Sequence, residues 1–230
     1  MWLFPLAAGT IALAFAVLLG RQFSERQRPH QAVWTIALVM YAVASLALFL
    51  GVLAGWTSAE YRIYWLLGAV LNVPYLAQGE VYLLVHNRAV ANSLMALLFV
   101  VTVFAAVSIG AAPLNDAALA RDLPAGKAVW GPGSFTLHLA QIYAYPTYAF
   151  LLGSALWSAW RMRDARELRD RFYGTLGIAV GATIVAAGSA FAASGLLPGF
   201  SITLTAGIAL MFWGFLRASR RSASARRPGG

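Results

Sequence analysis

The chain repeats one pattern along its length: a run of about 20 mostly apolar residues, closed by a short connection. Such runs occupy residues 2–20, 32–54, 61–85, 90–111, 135–160, 173–194 and 199–217. A helix rises about 1.5 Å per residue, so about 20 residues cross a hydrocarbon core of ~30 Å. Lipid offers the backbone no hydrogen-bond partner, and only a helix satisfies every N–H and C=O within a single segment. The pattern therefore predicts an all-α polytopic membrane protein, a seven-transmembrane helix bundle. Composition agrees. Of the 230 residues 60% are hydrophobic and 11% are charged, whereas a soluble domain carries about 25% charged residues. That excludes a soluble enzyme and a disordered chain. Cysteine is absent, which excludes disulfides, thiolate nucleophiles and thiolate-held zinc or iron–sulfur centres. One membrane domain is expected over 1–217, followed by a basic, disordered cytoplasmic tail over 218–230.

Net charge is +9, and the basic residues sit between the apolar runs. They are read as orientation signals, and no nucleic acid partner is expected. Arg21, Arg26 and Arg28 follow the first run, Arg88 the third, Arg161, Arg163, Arg166, Arg169 and Arg171 the fifth, and Arg217, Arg220, Arg221, Arg226 and Arg227 the last. The alternate connections hold Arg62, Arg121 and Lys127. Fourteen against three places the N-terminus outside and the C-terminus in the cytoplasm. The localisation this predicts is a bacterial plasma (inner) membrane, crossed several times. The first run has no basic residue before it and reads as an anchor, not a cleavable signal. Trp2, Trp56, Trp65 and Trp130 fall near outer ends; Trp34, Trp157, Trp160 and Trp213 fall near inner ends. Indole at headgroup depth produces two such belts.

Two connections stand out. Residues 112–134 form a long external segment with Leu114, Leu119, Leu123 and Trp130 in it. It reads either as a solvated loop or as a lid over an outward-facing cavity. The run from Arg161 to Arg171 pairs opposite charges four apart, Arg163 with Glu167 and Glu167 with Arg171. It predicts a helical stub past the membrane that contacts anionic lipid or docks a protein partner. The sixth run carries Gly174, Gly177, Gly181, Gly188 and Gly195 within about 60° of arc, with the larger Val185 at the edge. Such a face brings helices close, inside one chain or in a homodimer.

Glu80 is the one acid well inside a run. Ionisable groups at membrane depth usually face the bundle interior. On the same helix Asn72, Tyr75, Gln78, Tyr82 and His86 fall within about 120° of arc, near Pro74. In the fifth run His138, Gln141, Tyr145 and Tyr148 fall within about 80°, beside Pro146. If the two helices are neighbours, Asn72, Tyr75, Gln78, His138, Gln141, Tyr145 and Tyr148 line a cavity open to the outside, with Glu80 beneath it. Otherwise they serve as interhelical hydrogen bonds, worth about 0.6 kcal/mol each. No spacing assembles a metal site or a catalytic constellation. Haem would need axial ligands at matching depth, and His86 and His138 lie near opposite surfaces, so no cofactor is expected. A retinal Schiff base needs a lysine inside a run, and the lone lysine, Lys127, is in a connection.

These features leave two functional classes ahead of an intramembrane enzyme. One is a receptor-like or accessory module that takes a small or lipidic ligand between the third and fifth helices. The other is a small transporter or channel with Glu80 as its proton- or cation-coupling acid. The topology resembles, in architecture only, the membrane sensor regions of some bacterial signalling proteins.

Overall fold

The structure is a computed structural model that describes residues 3–162 and 169–224. Met1, Trp2, residues 225–230 and the middle of the charged stub, with Arg163, Arg166 and Glu167, lie outside the described residues. The described residues are 88% helical, and no strand occurs among them.

The long helices are α1 (Leu3–Arg26), α2 (Pro29–Ala54), α5 (Arg88–Ala111), α7 (Phe135–Met162), α8 (Arg169–Ala193) and α9 (Leu197–Ser224). The third apolar run is divided into α3 (Ser58–Tyr64), a π-helical stretch (Trp65–Leu71) and α4 (Asn72–Leu84). A 3₁₀ turn (Asp116–Ala120) and α6 (Gly126–Trp130) stand in the 112–134 segment. Among the described residues, five helices are long and apolar enough to cross a membrane: Leu3–Arg26, Pro29–Ala54, Arg88–Ala111, Phe172–Ala193 and Leu197–Arg217. This is the make-up of a multi-pass membrane protein. The last helix runs past the expected boundary at 217 to Ser224, so part of the expected tail continues it.

Local chemistry sets the boundaries. Pro29 opens α2, where a missing N–H costs nothing, and Gly55 at φ 88° ends it. Thr57 and Glu60 form a reciprocal capping box that starts α3: the Glu60 N–H donates to Thr57 Oγ1 at 3.2 Å, and the Thr57 N–H donates to Glu60 Oε2 at 3.0 Å. The π stretch contains Val70, four residues before Pro74. Proline has no N–H to give that carbonyl and its ring crowds it, and a widened turn relieves both. Pro146 leaves α7 unbroken. There the Thr147 hydroxyl donates to the carbonyls of Tyr143 at 2.5 Å and Ala144 at 3.2 Å, which takes up backbone polarity beside the proline.

Helices α1, α2, α4, α7, α8 and α9 close a ring in which each packs on the next and α9 returns to α1. The buried core it shares includes Phe15, Leu19, Leu48 and Ile208. Tyr41 lies in it too, and its hydroxyl donates to the Leu204 carbonyl at 2.9 Å, tying α2 to α9. Helix α5 stands outside the ring against α4. Most of its circumference is bare; Val107, for instance, is 66% exposed. An apolar surface of that extent suits hydrocarbon and not water.

The glycine face of the sixth run packs inside the chain, against α9. A Cβ on Gly181 would stand 2.6 Å from the Gly207 carbonyl oxygen, and one on Gly214 would stand 2.5 Å from that of Gly174. Val185 sits opposite Gly207, so the one larger residue on α8 meets a gap on α9. Gly195 does not share the seam. It occupies the α8–α9 turn at φ 70°, a left-handed position that follows a helix end.

Candidate functional site

The 112–134 segment folds into a cap over one end of the bundle. Leu119, Leu123, Val129 and Trp130 turn inward and are buried. The segment closes on itself where the Asn115 N–H donates to the Val129 carbonyl at 3.0 Å. The bundle below grips it by side chains from the start of the third run. The Trp56 indole donates to the Asp122 carbonyl at 3.0 Å, and the Tyr61 hydroxyl donates to that of Pro124 at 3.2 Å. The Arg62 guanidinium donates to the carbonyls of Ile109 and, at 2.8 Å, Ala112. These belong to the C-terminal end of α5, where helix carbonyls lack partners. The same guanidinium stands 5.8 Å from the Trp130 ring centroid. Gly126 fits because the Trp65 ring occupies the place of its Cβ, 2.2 Å from where that atom would be.

Beneath the cap the rings of Trp56, Tyr61, Tyr64, Trp65 and Trp130 form one cluster. Centroids are 5.3 Å apart for Trp56 and Tyr64, 5.9 Å for Tyr61 and Trp130, and 6.1 Å for Trp65 and Trp130. Phe200 at the start of α9 meets Tyr64 at 6.4 Å. Of the expected outer tryptophans, the three described ones therefore gather into a cluster instead of spreading as a belt. At the cap's edge an open cleft of about 530 Å³ is lined by Trp56, Thr57, Ser58, Asp116, Leu119, Arg121 and Asp122, among others.

Among the described residues, four buried side-chain polar atoms lack a hydrogen-bond partner: Trp65 Nε1, Trp130 Nε1, Ser201 Oγ and Gln31 Oε1. The first three lie at the capped end, where the Leu123 carbonyl approaches Gly195 in the α8–α9 turn. A buried donor left unsatisfied costs about 1–3 kcal/mol, and such atoms are few in native proteins. The two unanswered indoles in the ring cluster beneath the cap make this end the candidate site.

The residues singled out by the sequence go elsewhere, to several neighbours. Asn72 is buried and its Nδ2 donates to the Ala37 carbonyl of α2 at 2.7 Å. Tyr75 meets Thr102 of α5 at 3.1 Å. Thr102 gives its own proton to the Leu98 carbonyl, so Tyr75 is the donor. Gln78 Nε2 donates to the Ala91 carbonyl at 2.9 Å, and the Tyr82 hydroxyl donates to Asn92 Oδ1 at 3.0 Å. The stripe on α4 thus attaches α5, which has little other packing. On α7, the Tyr148 hydroxyl reaches Thr183 of α8 at 3.1 Å, and Tyr145 is 65% exposed on the bundle's outside. His138 is exposed, its Nδ1 2.8 Å from the Ser134 carbonyl one turn back, and Gln141 is half-buried. α4 and α7 are neighbours, yet their polar groups do not converge on one space between them. Glu80 is half-buried and has no hydrogen-bond or ion-pair partner among the described residues. Ser154 of α7 donates to the Leu151 carbonyl of its own helix at 2.9 Å. No group of three His, Cys, Asp or Glu that could hold a metal occurs among the described residues.

Tyr61, Arg62, Tyr64 and Trp65 were not among the expected site residues. The cue was available in the succession Tyr61-Arg62-Ile63-Tyr64-Trp65 at an outer helix end, facing a long segment that carries Trp130. Comparisons with family models, with curated proteins and with solved structures return no match.

Proposed function

We propose that the chain is a receptor-like or accessory membrane module that takes a small or lipidic ligand at its capped end. In this reading the third and fifth runs span the membrane with the other five. The fourteen-to-three asymmetry of Arg and Lys puts the cap outside, and both α9 and the basic stub report to the cytoplasmic face. One observation carries the proposal: the 112–134 segment is a folded cap with an open cleft at its edge, not a free loop. Concave sites lined by aromatic side chains and a few polar groups are where small molecules bind. The ligand site moves accordingly from the space between the third and fifth helices to the outer end of the third.

The test is native mass spectrometry on protein extracted from its own membrane in mild detergent. A retained adduct of small-molecule mass is expected. It should disappear when Ala120→Trp fills the cleft. A bare wild-type mass would sink the reading. Orientation follows from the cysteine-free background. Ala117→Cys in the cap should react with a membrane-impermeant maleimide in intact cells, and Gln27→Cys only after permeabilisation.

A second reading rests on Glu80. An acid without a partner at the depth of a span is costly and points to an ion or proton path. If Glu80 couples transport, protein in liposomes supports a pH- or cation-driven flux that Glu80→Gln abolishes. Equal flux in wild type and Glu80→Gln removes this alternative.

A further inference from the structure

We infer that the open cleft at the cap's edge takes a small zwitterion, a molecule with a primary ammonium, an acidic group and a short apolar body. This rests on the capped-end reading above and specifies the ligand's chemistry.

The cleft has two kinds of lining. Gly51, Val52, Trp56 and Leu119 form an apolar wall, and Gly51, Trp56 and Leu119 are buried. The Trp56 ring is wedged onto α2, where it fills the place of a Gly51 Cβ, 2.3 Å from where that atom would be. Asp116, Arg121 and Asp122 line the same cleft and are exposed, so charges of both signs border it. Among the described residues none of the three has an ion-pair partner, although Arg121 and Asp122 are adjacent in the chain. Asp116 Oδ1 accepts only a long hydrogen bond from the Ser58 hydroxyl, at 3.4 Å. The backbone that carries these charges is anchored. Asp116 opens the 3₁₀ turn and Arg121 follows its end, which sets their Cα atoms about 10 Å apart at about 2.0 Å per residue. On either side of Arg121, Leu119 is buried and the Asp122 carbonyl is held by the Trp56 indole at 3.0 Å. Opposite charges held apart beside an apolar wall call for a molecule with the reverse arrangement. Its ammonium meets the carboxylates, its acidic group meets the guanidinium, and its body lies on Val52, Trp56 and Leu119. A simple anion would face two carboxylates and a simple cation would face Arg121, and like charges set together are costly. Among the described residues no third acid or histidine joins Asp116 and Asp122 to hold a metal ion. A free amino acid and the headgroup of an ethanolamine phospholipid both carry the required charges, and the probes below separate them.

The experiment is calorimetric titration of the full chain in phosphatidylglycerol nanodiscs, whose lipid adds no zwitterion. The probes are leucine and glycerophosphoethanolamine. At least one should bind saturably. Its single-charge analogues should bind at least tenfold more weakly: leucinamide and N-acetylleucine for the first, ethanolamine and glycerol phosphate for the second. Leucine alone binding identifies a free amino acid; glycerophosphoethanolamine alone identifies a lipid headgroup; both binding shows that the charge pattern suffices. Arg121→Gln should weaken the zwitterion at least tenfold and spare the analogue that carries only the ammonium, a selective loss that a folding defect would not produce. Two results overturn the inference: neither zwitterion binds, or a single-charge analogue binds as tightly as its parent. So does an Arg121→Gln protein that binds the zwitterion like wild type. If neither probe binds while native spectra keep an adduct that Ala120→Trp removes, the capped-end module stands and this inference falls. Because the comparison of zwitterions with their analogues is made on wild type, a variant that does not fold cannot hide the answer.

Discussion

Gly181→Val should separate α8 from α9 and cost the bundle roughly 3 kcal/mol, at the upper end of what overpacking a fitted interior costs. The reason is what a side chain meets there. The first added carbon would stand 2.6 Å from the Gly207 carbonyl oxygen and 2.8 Å from the Met211 backbone nitrogen. Neither is a side chain that can turn aside, so the helix axes must part. Parting them is costly in lipid, which supplies no hydrophobic drive to reunite them and leaves association to close van der Waals contact. The opposing rungs loosen together: Gly207 lies under Val185, and Gly214 lies on the Gly174 carbonyl. Gly153 on α7 is the control. Nothing stands within 4 Å of its Cβ position, so Gly153→Ala should hold or raise stability by about 0.5–1 kcal/mol through helix propensity. Thermal unfolding of both variants in one detergent, followed by circular dichroism, decides the matter. A Gly181→Val protein that melts with wild type would show that the seam is not the clamp described.

What could be read from the sequence follows the range of the physics involved. Apolar runs and the glycine face are local, so run length and helix periodicity marked the long helices, although the first and last run on to Arg26 and Ser224 and Gly195 falls in a turn. The proline at 74 announced a disturbance but not its form, because a kink and a π turn relieve the same missing N–H. The polar stripe of α4 was visible as a stripe. Its partners were not, since nothing in the spacing of Tyr75 and Gln78 says that α5 lies across from them instead of α7. Tyr145 shows the converse. It shares a stripe with Tyr148 by angle, yet α7 is turned so that Tyr148 reaches α8 and Tyr145 faces outward. The candidate site was the least legible part. It depends on residues 56–65, 112–134 and 200–201 meeting at one end, a long-range coincidence with no local periodicity to mark it. Arg62 was counted with the connections as an orientation charge. In the fold it is a structural clamp.

That clamp makes the second large effect. Arg62→Ala should open the cap about thirtyfold more often than in wild type. The guanidinium answers two carbonyls at the end of α5 and covers the Trp130 ring. A hydrogen bond to a charged group is worth about 1.5–3 kcal/mol, so losing the fork costs about 2 kcal/mol. At about 1.4 kcal/mol for each factor of ten, that is the stated change in the open population. Arg62→Lys keeps the charge but is expected to recover less than half of the loss. A flexible point-charge ammonium neither matches two carbonyls as a planar fork does nor lies flat on indole. The cap carries its own reporters, since Arg121 and Lys127 are exposed in it and trypsin cuts after both. Brief digestion of the purified protein should therefore nick the Arg62→Ala cap far faster than the wild-type cap, with Arg62→Lys in between. Opening that is fast relative to cleavage makes the nicking rate a measure of the open population. Equal rates in all three would mean that the cap is held by Trp56, Tyr61 and its own buried leucines without Arg62. A cap that opens more readily should also admit ligand faster and hold it more briefly, which joins the stability of residues 112–134 to the exchange of whatever they enclose.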